Sequence, residues 1–176
     1  MDKLSHLSEL LKERNSISRK IYKHTCGLPV HTGRLGEFIA SKIFNIELNT
    51  DPKEAGHDGK FRSPKLLDCK TVNIKWYTAR ETILSLKTDN DKPDYYLVMT
   101  GPEKPCMEIS RPLVIHSVFL FDREQLEHDL MVPIRRNATS VKKALWCKAE
   151  IYPNHKNKDL DLGPEQEREL RKFCKI

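Results

Sequence analysis

The segment that decides the fold class runs from Gly56 to Lys70, and its sequence is GHDGKFRSPKLLDCK. Two short extended runs, 57–62 and 66–72, flank a Ser-Pro-Lys turn, and this pattern predicts an antiparallel hairpin. Residues two apart on a strand share a face, so the second run is predicted to present Asp68 and Lys70 together. The alternate positions, predicted to face the core, are Leu67, Cys69 and Thr71.

Helical and extended patterns alternate on both sides of this hairpin. Helices are predicted where apolar residues recur at helical spacing or where capping residues precede them, over 3–24, 32–46, 122–130 and 164–175. Buried strands are predicted over 95–99 and 113–121, while the type of 75–87 stays open. The fold class predicted from this order is α/β (α+β), with helices and a sheet in one domain.

Composition excludes several classes of protein. The 176 residues are 38% hydrophobic and 32% charged, and the apolar stretches fall short of the roughly 20 residues of a transmembrane helix. The five cysteines include no CxxC pair, so neither a zinc ribbon nor a disulfide framework is expected. The amino-terminal residues lack the apolar core of a secretory signal, and we expect a cytoplasmic location. Lys and Arg outnumber Asp and Glu by 31 to 25, which favours a polyanionic partner.

Three carboxylates and one lysine are predicted to meet near the hairpin. Asp58 lies on the first strand, Asp68 and Lys70 lie on the second, and Glu37 lies near the start of the second helix. Clustered carboxylates repel one another unless a cation neutralises them, and their hard oxygens suit Mg²⁺ or Mn²⁺. A divalent ion beside a lysine is suited to hydrolysis of a phosphodiester.

These residues resemble the PD-(D/E)xK nuclease superfamily, which includes type II restriction endonucleases. Asp58 matches the first acidic position, Asp68-Cys69-Lys70 matches the (D/E)xK half, and Glu37 matches an extra acidic residue of many members. The resemblance covers about residues 30–100. It implies a restriction-endonuclease-like mixed central sheet flanked by helices, Asp58, Asp68 and Glu37 as metal ligands, Mg²⁺ dependence with Mn²⁺ as a substitute, and double-stranded DNA as substrate.

Basic residues outside the motif are candidates for DNA contact. The stretch 131–149 contains five Lys or Arg residues and no acid, a pattern suited to phosphate contact. A solvated basic face is the alternative, and Trp146 within it is expected in the core. The candidate DNA-binding residues are Lys75, Arg80, Arg135, Arg136, Lys142 and Lys143.

The expected protein is one nuclease domain over 1–176, with a basic helical segment (1–30), a catalytic core (31–130) and a basic extension (131–176). The expected function is a Mg²⁺-dependent type II restriction endonuclease, working as a homodimer because each chain holds one active site and a duplex has two strands. No membrane partner and no small-molecule cofactor are expected. The alternatives are a structure-selective or nicking nuclease of repair or mobile elements, and a catalytically inactive DNA-binding module.

Overall fold

The computed structural model describes residues 3–25, 31–50, 56–63, 67–84, 92–103, 112–130 and 139–174. Over these residues the chain forms five helices and eight strands. The helices are α1 (Lys3–His24), α2 (Thr32–Ile43), α3 (Arg123–Leu130), α4 (Lys143–Ala149) and α5 (Pro164–Arg171). The strands are β1 (Ile46–Leu48), β2 (Gly59–Phe61), β3 (Thr71–Tyr77), β4 (Ile83–Leu84), β5 (Tyr95–Thr100), β6 (Ser117–Asp122), β7 (Thr139–Ser140) and β8 (Glu150–Tyr152).

Six strands form one mixed sheet in the order β1-β2-β3-β5-β6-β8, and β4 pairs with β7 in a separate ribbon. Strands β3 and β5 run parallel from Val72 opposite Tyr95 to Tyr77 opposite Thr100. The other neighbours in the large sheet are antiparallel. The prediction of a mixed helix and sheet class is therefore confirmed.

Helices cover both faces of this sheet because its central strands are apolar on both faces. Strand β5 is almost entirely buried. Leu97 and Met99 pack into the core that α2 and α5 share, whereas Tyr96 and Val98 pack into the core that contains Trp146 of α4. The expected core position of Trp146 is confirmed. A sheet between two helical layers results.

The predicted helix boundaries hold within a few residues. Helix α1 is continuous, and α3 begins after Asp122, whose Oδ1 accepts a hydrogen bond from the Gln125 backbone N–H (2.8 Å). The N-cap of α2 is His31, whose Nδ1 accepts a hydrogen bond from the Arg34 N–H at 3.3 Å. Within the described helices, none is long and apolar enough to cross a membrane.

The predicted hairpin exists, but its second strand begins later than the sequence indicated. Strands β2 and β3 are antiparallel, with Gly59 opposite Val72 and Lys60 opposite Thr71. Residues 67–69 form a turn in which the Lys70 N–H bonds to the Leu67 carbonyl (2.9 Å). Cys69 has a φ of 64°, a left-handed conformation that interrupts strand alternation. The prediction of a strand over 67–70, and of a core-facing side chain for Cys69, is therefore wrong.

Candidate active site

Asp58 lies at the open end of the hairpin, immediately before β2. Its backbone N–H bonds to the Val72 carbonyl (2.9 Å), and its Oδ2 accepts from the Ile74 N–H at 2.6 Å. A side-chain carboxylate thus occupies the place of a backbone acceptor in the ladder. At Asp58, therefore, the chain before β2 separates from β3. The half-buried carboxylate of Asp58 is held against the middle of β3.

Asn73 and Lys75 share the face of β3 that lies opposite the Ile74 face. Asp58 bonds to Val72 and Ile74, the two residues that flank Asn73 on β3. Asn73 is 1% exposed, yet its Oδ1 and Nδ2 have no hydrogen-bond partner in the part of the chain that the structure describes. A buried amide without partners is costly, which makes Asn73 a candidate for contact with a bound ligand. Lys75 is half-buried two residues further on.

Glu37 reaches this end of the hairpin because α2 lies unusually close to β3. A Cβ on Gly36 would lie 3.0 Å from the Cβ of Trp76, so only glycine allows this approach without displacement. Burial raises the pKa of Glu37, the Arg34 guanidinium at 2.6 Å opposes that rise, and the charge of Asp58 adds to it. The charge of Asp58 therefore acts on Glu37, although less than the burial of Glu37 and its hydrogen bond from Arg34.

The structure separates Asp68 and Lys70 from Asp58, contrary to the prediction that they converge. Asp68 is exposed in the turn at the closed end of the hairpin, whereas Asp58 is at the open end. The Lys70 Nζ lies 3.4 Å from Asp94 Oδ1, so its nearest acidic partner is not a carboxylate of the predicted site. The shared strand face predicted for Asp68 and Lys70 does not exist, because β3 begins at Thr71.

Asp94 ties the starts of β3 and β5 together. Its Oδ2 accepts from both the backbone N–H and the hydroxyl of Thr71, each at 2.8 Å. Burial opposes ionisation of Asp94, but the hydrogen bonds from Thr71 and the charge of Lys70 outweigh it and hold the pKa below the ordinary 3.8. Asp94 and Lys70 consequently act in the fold of the sheet.

The donor atoms at the open end of the hairpin fit a small hard cation. The carboxylates of Glu37 and Asp58 are the oxygen type that Mg²⁺ takes. The amide oxygen of Asn73 is also of a type that Mg²⁺ takes, and it lies unpartnered on the face of β3 opposite the core that α2 covers. The predicted cluster of three carboxylates is not formed. Among the described residues no group of three or more His, Cys, Asp or Glu side chains is arranged to hold a metal ion.

Sequence reasoning missed Asn73 as a site residue because an amide does not match the acidic position of a (D/E)xK motif. The triplet Asn73-Ile74-Lys75 stands on a true strand, fifteen residues after Asp58, and Asn73 and Lys75 lie on the face opposite the core that α2 covers. The signal available in the sequence was the run of strand-forming residues from Val72 to Tyr77, which is longer and more apolar than 66–70.

The candidate DNA-binding residues are distributed over several elements. Lys142 and Lys143 are exposed at the start of α4. Arg80 forms an ion pair with Glu103 and lies over the ring of Phe119, at 5.9 Å from its centroid, so it is engaged within the fold. Arg135 and Arg136 lie outside the described residues.

Two comparisons of the sequence with known proteins give no match. A scan against protein-family models finds no match, and a search of curated proteins finds no similar sequence.

Proposed function

We propose that this protein is a Mg²⁺-dependent endodeoxyribonuclease of the PD-(D/E)xK type, with a restriction-endonuclease-like fold and double-stranded DNA as substrate. The observation that carries the proposal is the Asp58 carboxylate that accepts from the Ile74 N–H in the middle of β3, where its charge acts on Glu37 and where the same strand holds the unpartnered amide of Asn73. Among the possible roles, we favour that of a type II restriction endonuclease that acts as a homodimer.

Each residue has a role that follows from its position. Glu37, Asp58 and the Oδ1 of Asn73 would hold Mg²⁺, which supplies positive charge for the phosphate and a bound water of lowered pKa. Lys75 carries positive charge on the same strand face, where it would attract the scissile phosphate and offset the negative charge that develops on it. Hydrolysis joins a water oxygen to phosphorus and breaks one bridging P–O bond. The proposed site therefore includes Asn73 and Lys75, whereas the site predicted from the sequence included Asp68 and Lys70.

The net charge of +6 and the exposed Lys142 and Lys143 support a DNA substrate. Phosphate contacts of this kind give affinity without sequence preference, and base contacts give specificity. A restriction role needs both, whereas a nicking or structure-selective nuclease needs mainly the first.

A catalytically inactive DNA-binding module of the same fold is the second candidate. The amide at position 73 favours it, because an amide supplies one neutral oxygen where an acid supplies negative charge for the cation. The two proposals differ in whether DNA is cut, and one assay separates them.

The test compares two matched variants, Asp58→Asn and Asp68→Asn, on supercoiled plasmid and on unmethylated phage DNA with Mg²⁺ or with EDTA. We expect Asp58→Asn to slow cleavage by at least about 100-fold and Asp68→Asn to change it less than about threefold. Discrete fragments support the restriction role, and nicks or a smear support the repair role. Loss of cleavage in Asp68→Asn alone would contradict the site. DNA that binds but stays intact with every metal would support the inactive module.

A further inference from the structure

Helix α1 carries an apolar stripe that the rest of the described chain leaves largely uncovered. Near the end of the helix, Ile21 packs against the core beneath α2. The residues before it remain between 46% and 73% exposed at Leu4, Leu7, Leu10, Leu11 and Ile17. At 100° per residue these side chains fall on one side of the helix, so they form a continuous surface. We call the surface of these five residues the α1 stripe.

The α1 stripe continues into a groove beside the domain. A cavity of about 540 Å³ lies between α1 and the start of α2, and Leu10, Ile17, Leu35 and Leu113 are among its lining residues. Leucine side chains from a second helix would fill such a space. The helix is anchored at its carboxyl end, so about 20 Å of its length, from residue 4 to residue 17, is open to a partner.

We propose that the α1 stripe is the interface for a second copy of this chain, with the two α1 helices packed antiparallel. The exposed fractions of the five residues amount to roughly 500 Å² per chain, so a symmetric pair would bury about 1,000 Å² from the stripe alone, which is the minimum for a specific interface. An isologous contact suits this surface, because a leucine stripe is complementary to itself. The proposal gives the homodimer of the proposed function its interface, and its test, the mass of the chain in solution, does not depend on nuclease activity.

Charge selects the antiparallel arrangement. Arg14 lies within the apolar side of the helix and lines the same groove as Leu10 and Ile17. Parallel packing sets the two Arg14 side chains against each other in the seam, which is unfavourable. Antiparallel packing centred between Leu10 and Leu11 instead places each Arg14 beside the Leu7 of the partner, with its guanidinium free to reach the edge of the seam.

A basic amphipathic helix also has the composition of a membrane-surface helix, and the experiment separates the two occupants. The mass of the wild-type chain is measured by sedimentation equilibrium from about 1 to 100 µM and compared with Leu7→Glu/Leu11→Glu. The control is Ile83→Glu, which places one Glu, half the charge of the helix variant, at an apolar residue of similar exposure, 49%, on β4. Far-UV circular dichroism and thermal unfolding establish that each variant is folded.

We expect a wild-type dimer whose dissociation constant rises more than tenfold in the helix variant and less than threefold in Ile83→Glu. Leu4→Cys with a cross-linker about 8 Å long tests orientation, since antiparallel packing holds the two residues about 20 Å apart and parallel packing brings them together. A monomer at every concentration, or a dimer unaffected by the helix variant, overturns the proposal. Efficient Leu4→Cys cross-linking above the wild-type background overturns the antiparallel arrangement. A monomer that sediments with vesicles of anionic lipid assigns the stripe to a membrane surface instead.

Discussion

Replacement of Asp94 by alanine tests whether this carboxylate and Lys70 serve the fold and not the chemistry. The change removes two hydrogen bonds from Thr71 and an ion pair with Lys70. A bond to a charged group contributes about 1.5–3 kcal/mol when buried, but Asp94 is 37% exposed, so we expect a total loss of about 2 kcal/mol. For a chain of this length the melting temperature falls by roughly 4–8 °C. Asp94→Asn keeps an acceptor for Thr71 and loses about 1 kcal/mol.

The pH dependence of this loss follows from the lowered pKa of Asp94. A carboxyl whose pKa is lower in the folded state than in the unfolded state stabilises the fold above its ordinary pKa, here 3.8. That contribution disappears as pH falls through the folded pKa. The difference in stability between wild type and Asp94→Asn is therefore largest at pH 5–7 and shrinks below about pH 4.

Urea unfolding followed by circular dichroism at pH 7, 5 and 3 measures this difference directly. The nuclease assay on the same proteins should show that Asp94→Asn and Lys70→Ala retain cleavage within about threefold, since neither touches the proposed site. Equal stability of wild type and Asp94→Asn at pH 7, or a difference that persists unchanged at pH 3, would refute the reasoning. So would a Lys70→Ala variant that is folded but inactive.

Three further predictions concern the candidate site. Glu37→Gln gains stability relative to wild type as pH rises from 4 to 7, because the raised pKa means that ionised Glu37 opposes folding; melting temperatures at both values measure this, and a gap that narrows with pH contradicts it. Asn73→Asp buries an unpaired charge, so its melting temperature falls in EDTA and recovers with Mg²⁺ by more than the wild-type protein gains; an equal response of both proteins to Mg²⁺ contradicts Asn73 as a ligand. Gly36→Val forces α2 away from Trp76 and costs about 1–3 kcal/mol in urea unfolding, together with cleavage activity; full activity in this variant means that the approach of α2 does not position Glu37.

Local sequence signals were sufficient where an element is long or has a clear end. The apolar spacing of 3–24 and the Asp122 cap predicted α1 and α3, and the run from Tyr95 to Met99 predicted the buried strand β5. In each case the signal lies within a few consecutive residues. Periodicity and capping are properties of the chain itself, so they can be recognised without knowing its partners.

The register of the hairpin could not be predicted from a local sequence signal. In the sequence, Leu66 and Leu67 resemble the start of a strand. In the structure, Leu67 lies in a turn, and its side chain is fully buried in the core although the residue does not belong to a strand. Which residues pair depends on the sheet that receives them, here the parallel neighbour β5 and the link from Asp94 to Thr71. Because β3 begins a few residues later than the sequence indicated, the candidate site contains Asn73 and Lys75 in place of Asp68 and Lys70.

The sequence by itself determined the mixed helix and sheet class, most helix boundaries, the existence of a hairpin after Asp58, and the excess of positive charge. The tertiary structure alone decided which side chains meet Asp58. That choice depends on the close approach of Gly36 to Trp76 and on the pairing of Gly59 with Val72. The first contact joins residues 40 positions apart in the chain, and the register of the second depends on the sheet that receives the hairpin. The packing energy that selects both is spread over the whole core, so no local pattern encodes it.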